Sequence, residues 1–222
     1  MKPIRFAAPT LPTLLLAVLT CVMPREAHSD PDWATATVAV EAFAGSGSVI
    51  YLVGQSEGVV DPMGEFQVLV SASGSPYGGV KVTIDFRSCA DLWVAPCQPF
   101  PGMTVETPGT VSGFTNSSGV ATFRIVGNAL NTGCTAGCVN GAGIFLMSTP
   151  LMNVKVAAFD QEGSGVGAND LSRWLTDFGC GQYFMRSDYD GDGSVGATDL
   201  SLWLTCFGGG GSVDGGADVC VE

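Results

Sequence analysis

Gly167-Ala-Asn-Asp-Leu-Ser-Arg-Trp-Leu-Thr-Asp-Phe-Gly179 is followed, at an offset of 29 residues, by Gly196-Ala-Thr-Asp-Leu-Ser-Leu-Trp-Leu-Thr-Cys-Phe-Gly208. Ten of the thirteen positions are identical. Such self-similarity at a fixed offset marks a duplicated unit. In each copy apolar side chains fall at i, i+3, i+4 and i+7: Leu171, Trp174, Leu175 and Phe178, then Leu200, Trp203, Leu204 and Phe207. That spacing lines one face of a helix, and Gly179 and Gly208 stand where each helix ends. A helix this short is not stable alone. The stripes are therefore expected to be core, with the Trp and Phe side chains of facing copies burying one another.

The second helix is preceded by Asp188-Tyr-Asp-Gly-Asp-Gly-Ser-Val-Gly-Ala-Thr-Asp199. Asp188, Asp190 and Asp192 occupy positions 1, 3 and 5 of a twelve-residue calcium loop and supply hard oxygen ligands. Gly193 at position 6 permits the sharp turn, Ser194 at position 7 offers its carbonyl, and Asp199 closes the shell at position 12. Gly196 at position 9 leaves room for water. Three carboxylates so close repel one another without a cation. The first copy is one residue shorter, Asp160 to Asp170. Asp160, Glu162, Ser164 and Asp170 are its candidate second calcium site, with the missing residue near position 7, where a carbonyl is needed.

Two such loops, with Asp at the twelfth position, each followed by Leu-x-x-Trp-Leu, and with no helix required before the loop, resemble a dockerin. The resemblance covers residues 158–209. It implies a calcium-folded module that docks to a cohesin-type protein in polysaccharide-degrading or cell-surface assemblies. It also implies that loop positions ten and eleven face the partner, here Ala168-Asn169 and Ala197-Thr198. Those pairs depart from the hydroxyl-rich pattern of the family.

Residues 30–157 read as β. Val49 to Val53, Phe66 to Val70, Val80 to Phe86, Val120 to Val126, Ile144 to Met147 and Val154 to Ala158 are short apolar or alternating runs between Gly, Pro, Ser and Asn turns. Val80, Val82, Ile84 and Phe86 are expected to face inward, and Asn116 to Gly119 to form a turn. About seven strands at this spacing suggest an antiparallel sandwich. The stretches Gly78-Gly-Val-Lys-Val-Thr-Ile-Asp-Phe86 and Thr115-Asn-Ser-Ser-Gly-Val-Ala-Thr-Phe123 resemble a bacterial Ig-like domain of the invasin/intimin type, which implies a spacer or adhesive unit. The expected fold class is thus a mainly β Ig-like sandwich followed by a small helical dockerin-like module. Trp93 and Phe100, near Cys89 and Cys97, are candidate ligand contacts that could stack on a sugar. The competing reading makes them loop residues folded over the sandwich and stapled by a disulfide.

Lys2 and Arg5, the apolar run Leu11 to Met23, and Ala27-His28-Ser29 read as a signal peptide over 1–29. The expected location is secreted, extracellular or cell-surface, on a bacterium; Cys21 carries an alternative lipoprotein reading. Removing the leader takes the formal charge from -12 to -14. So few cations argue against nucleic acid and anionic membranes. No later run is long and apolar enough to span a bilayer. Cys89, Cys97, Cys134, Cys138, Cys180, Cys206 and Cys220 read as disulfide cysteines in an exported chain, with bridges inside 89–138 and a separate one in the tail, where the Gly-rich 210–222 stretch carries Cys220. Zinc is the competing reading for Cys134 and Cys138. The single histidine, His28, lies in the leader, so a mature chain has no imidazole for nucleophile activation. The expectation is a non-catalytic protein that binds calcium and another extracellular protein. The alternative is a carbohydrate-binding or adhesive surface protein whose calcium only stabilises the C-terminus.

Overall fold

Val80, Val82, Ile84 and Phe86 are all buried, while Lys81, Thr83 and Asp85 between them are half-buried, the two-residue period of a strand with one covered face. The computed structural model describes residues 37–42, 49–54, 64–98, 100–135 and 137–208. The leader, its cleavage site, Cys21 and the 210–222 tail with Cys220 lie outside the described residues. The strands are β1 (Thr37–Ala42), β2 (Val49–Val53), β3 (Glu65–Ala72), β4 (Ser75–Pro76), β5 (Lys81–Asp85), β6 (Leu92–Val94), β7 (Met103–Thr107), β8 (Thr110–Phe114), β9 (Val120–Ala129), β10 (Ala142–Leu146) and β11 (Thr149–Ala158). Each of the six apolar runs contributes a strand; β1, β4, β6, β7 and β8 are additional. The chain is mainly β, with two short helices, α1 (Ala168–Gly179) and α2 (Ala197–Gly208), each ending at the glycine expected to end it. Among the described residues no helix is long and apolar enough to cross a membrane.

The sheet runs β1-β3-β9-β2-β11-β10-β5-β8-β7, with β4 on β3 and β6 on β9. It is mixed, which corrects the expectation of a wholly antiparallel one. β9 pairs antiparallel with β3 through Val120–Arg124, then parallel with β2 through Ile125 and Val126. β11 likewise pairs with β10 first and then runs parallel to β2 through Lys155–Ala158. The physical reason lies in β2, whose five residues, Val-Ile-Tyr-Leu-Val, are all buried. A strand apolar at every position belongs where both faces are covered, and parallel strands occupy such places.

The two faces of β2 and β11 serve different partners. Ile50, Leu52, Val154 and Val156 enter the main core with Phe66, Val82, Ile84, Phe123 and Ile144. Phe66 stacks on Phe123 with ring centroids 5.5 Å apart. Val49, Tyr51, Ala157 and Phe159 pack instead with Trp174, Tyr189 and Trp203. The tryptophans therefore bury against the sheet, and the notion that facing copies bury Trp and Phe on each other is corrected. Leu175 and Leu204, also expected as core, are 49% and 46% exposed, and Phe178 and Phe207 stay 55% and 46% exposed, each stacked on the tryptophan of its own helix. A fully buried Trp removes roughly 200 Å² from water, worth at most about 5 kcal/mol. That supplies what two helices of three turns lack alone. The indole N–H groups donate to Ser187 and Phe159 carbonyls at 3.2 and 3.1 Å, so neither burial leaves a polar atom unanswered.

A buried ionic junction joins the helical segment to the strands. Arg186 follows α1 in a one-turn 3-10 helix, Met185–Ser187. Its guanidinium donates to Asp177 at 2.6 Å and to Asp91 at 3.0 Å, and also to the carbonyls of Gly133 and Thr135. All three charged residues are buried. Gln161, fully buried, donates to the Ala158 carbonyl and the Tyr189 hydroxyl. The disulfide Cys89–Cys138 stays within the expected group, but Cys134–Cys180 ties that group to the end of α1. Cys97 is disulfide-bonded as well. The pairing of Cys180 thus corrects the expectation of a bridge kept to the tail; residues 131–135 lie beside Arg186 and bring Cys134 within reach.

Breaking a buried ion pair by removing one partner leaves charge uncompensated in a low dielectric. Arg186→Met should lower unfolding free energy by about 3–5 kcal/mol, read by urea denaturation with tryptophan fluorescence. A loss below about 1 kcal/mol would show that the two aspartates do not depend on it.

Candidate metal centre

Asp188 is placed by the turn before it: its N–H donates to the Met185 carbonyl at 3.2 Å. The chain then reverses through Gly191 and Gly193, at φ +73° and +93°, a region that side chains other than glycine rarely adopt. Carboxylates hold the turn together by accepting backbone N–H bonds. Gly193 donates to Asp188 Oδ2 at 3.0 Å, Asp192 to Asp190 Oδ1 at 3.0 Å, and Ser194 to Asp192 Oδ1 at 2.7 Å. Asp199, in the first turn of α2, accepts from Tyr189 and Asp190 on Oδ1 and from Gly196 on Oδ2. Asp188, Asp190 and Asp192 thus accept from backbone that follows them, and Asp199 from backbone that precedes it, the short-range bonds typical of Asp.

Asp188, Asp190 and Asp192 come together: one carboxylate oxygen from each lies within 4.8 Å of the others. Among the described residues no other group of three or more His, Cys, Asp or Glu side chains is gathered so closely. Asp188 is fully buried, Asp190 half-buried and Asp192 exposed, so the cluster opens from a closed floor to solvent. Asp199 is not part of the cluster, because its carboxylate is turned to the loop backbone. Ser194 is exposed, with its hydroxyl on Asp192.

Two residues without any local sequence signal complete the floor. Tyr183 donates its hydroxyl to Asp188 Oδ2 at 2.7 Å. Lys155, from β11, donates to the same oxygen at 3.3 Å and to the Gly191 carbonyl at 2.6 Å. Burial first, and then the bond to Asp188, push the Tyr183 phenol far above its ordinary range. The other oxygen, Asp188 Oδ1, is buried and has no hydrogen-bond partner. An unanswered buried carboxylate oxygen is costly. A divalent cation would answer it, and three carboxylates are a donor set suited to calcium. The residues therefore fit the metal. Burial also raises the Asp199 carboxyl, with the Asp190 charge adding to it; a cation nearby would relieve both. Asp192 is held low by its bonds from Ser194.

The first loop superposes in pattern on the second if the residue equivalent to Ser194 is removed. Gly163 and Gly165 take φ +89° and +93° where Gly191 and Gly193 take theirs. Gly165 donates to Asp160 as Gly193 does to Asp188, and Gln161 and Gly167 donate to Asp170 as Tyr189 and Gly196 do to Asp199. Its acids, however, are satisfied by the chain itself. Asp160 accepts three backbone N–H bonds. Glu162 accepts from Ser164 and Asn169 and pairs with Arg173 at 3.4 Å. Asp160, Glu162 and Asp170 are not gathered as the second-loop triad is. Burial above all, with the Asp160 and Glu162 charges adding to it, pushes the Asp170 carboxyl up to about 6.

Ala168, Asn169, Ala197 and Thr198, the partner contacts that the dockerin resemblance implies, are exposed on the first turns of the two helices. Ala168 and Asn169 border an open cleft of about 270 Å³ above the first loop. Trp93 and Phe100 are half-buried and pack on Val53, Ala95 and Val126. The Arg124 guanidinium covers one face of the Phe100 ring at 4.6 Å, which leaves less of it open to stack on a sugar. Comparison with protein-family models yields no match, and no curated protein matches the chain.

Asp170 should titrate in carboxyl-detected NMR with a midpoint of about 6. An unfolded aspartate titrates near 3.9. The folded value is the higher one, so this group contributes stability below the unfolded value, and that contribution is lost as pH rises through about 6. A midpoint below about 4 would mean that the N–H bonds from Gln161 and Gly167 outweigh burial.

Proposed function

We propose that this chain is an exported, non-catalytic protein whose second loop binds calcium, and whose dockerin-like helix pair docks an Ig-like β module to an extracellular partner of cohesin type. The observation that carries the reading is the Asp188–Asp190–Asp192 cluster, with its buried, unpartnered Asp188 oxygen. Those three side chains would hold the ion, with the Ser194 carbonyl as the loop pattern prescribes, and Asp199 would brace the loop from α2. Bound calcium supplies positive charge where the chain concentrates negative charge. The first loop answers its own acids and is assigned a structural role.

Docking is supported by what the duplicated helices leave uncovered. Leu175 and Phe178 of α1 and Leu204 and Phe207 of α2 are 46–55% exposed. They stand at equivalent repeat positions, so the same apolar pair is presented twice. Exposed apolar side chains repeated in this way would suit an interaction surface if they form one contiguous patch. A second reading, in which calcium only staples the C-terminal segment to the sheet, is favoured by Trp174 and Trp203 packing on Tyr51 and Phe159.

Calcium titrated into the chain by calorimetry should show about one site, abolished in Asp188→Asn. Chelator should lower the melting temperature of the wild type and leave that of the variant unmoved. Two sites would restore the first loop as a ligand set, and no heat at millimolar calcium would remove the metal reading. A panel of cohesin modules, tested in calcium and in chelator, separates docking from stapling. Calcium-dependent capture lost in Phe178→Glu/Phe207→Glu supports docking, and no capture leaves stapling.

A further inference from the structure

Lys155 sits between Val154 and Val156, which are buried in the main core, so its side chain projects from the opposite face of β11. Its backbone is held by the parallel pairing of Lys155 with Val49 on β2. The side chain is 32% exposed, and its ammonium lies 5.8 Å from the Tyr183 ring centre. It ends on Asp188, the most buried member of the acidic cluster, and on the Gly191 carbonyl. The first loop has a cation from its own chain as well, Arg173 on Glu162. There the remaining acids are saturated by N–H bonds. In the second loop a single ammonium faces three carboxylates and leaves Asp188 Oδ1 unanswered.

We propose that Lys155 is a built-in counter-cation of the second loop, which holds the loop together without metal and weakens its calcium affinity by competing for Asp188. This rests on the metal-site reading above. The charge arithmetic gives the sign. Calcium entering the cluster must share Asp188 with a positive charge on the same carboxylate, and affinity in such loops follows the count of ligand charge. Neutralising the lysine therefore removes a repulsion from the bound state. It also removes a stabilising partner from the metal-free state. Both effects raise apparent affinity. The loop is thereby set toward the weak end of calcium binding, where occupancy follows millimolar extracellular calcium.

The test is calorimetric titration of calcium into the full chain as wild type, Lys155→Met, Lys155→Gln and Lys155→Arg, with thermal melts in chelator and in calcium. The expected result is affinity at least about tenfold higher in the Met and Gln variants, and within about threefold of wild type in the Arg variant, which keeps the charge. The two neutral variants should melt below wild type in chelator and gain more from calcium. Equal or weaker binding in both neutral variants would overturn it while leaving the metal site in place. Absence of binding in wild type and every variant would overturn the metal reading and this proposal with it.

Discussion

The Arg186 guanidinium is the point on which the rest of the molecule is hung. It draws Asp91 from the strand region and Asp177 from α1 onto one buried charge. Without it both carboxylates would stand at that depth uncompensated, and an isolated buried carboxylate is strongly disfavoured. Because Asp188 is only two residues further on, fixing Arg186 also fixes where the acidic loop begins. The same junction carries residues 131–135, whose Gly133 and Thr135 carbonyls it caps and whose Cys134 is bonded to Cys180.

The sheet enters the metal loop through this registration. β11 and the residue after it deliver odd-numbered side chains to the helix side: Ala157 and Phe159 to the tryptophans, Lys155 to Asp188. One strand thus contributes both an apolar and an ionic contact to the helical segment. The ring stack from Tyr51 through Phe159 to Tyr189, with centroids 5.2 and 4.8 Å apart, continues that contact to the second residue of the loop. The Tyr51 hydroxyl donates to the Tyr189 carbonyl at 2.5 Å. Loop, helix and sheet are therefore one packed body at this point.

The duplication was put to two uses. Both copies keep the glycine pair, the aspartate that closes the loop and the helix that follows. In the first copy the loss of one residue coincides with Arg173 and with a saturated Asp160, so the loop closes on itself. In the second, leucine stands at 202 where the first has Arg173, and positive charge must come from outside the repeat. Charge placement, more than backbone shape, separates the two loops.

The helices, the acidic loop and the inward face of Val80 to Phe86 were legible from local pattern. Each depends on spacing within a dozen residues: a 3.6-residue stripe, a fixed order of Asp and Gly, and a two-residue alternation. The apolar run of β2 was legible as a strand but not as a parallel one, because direction depends on which distant strands flank it. Trp174 and Trp203 were legible as core, yet what covers them was not, since a stripe records a buried face and not its partner. The fate of Phe178 and Phe207 was missed for the same reason.

What the sequence by itself determined is the chemistry of the acidic turn: three aspartates and two glycines in an order that allows one tight conformation. Only the tertiary structure decided what faces them. Lys155 and Tyr183 come from a strand and a loop with no motif of their own, and Arg186 binds aspartates nine and ninety-five residues away. A single charged side chain carries no local signature of its partner. Which carboxylate it neutralises is settled when the sheet and the helices have packed.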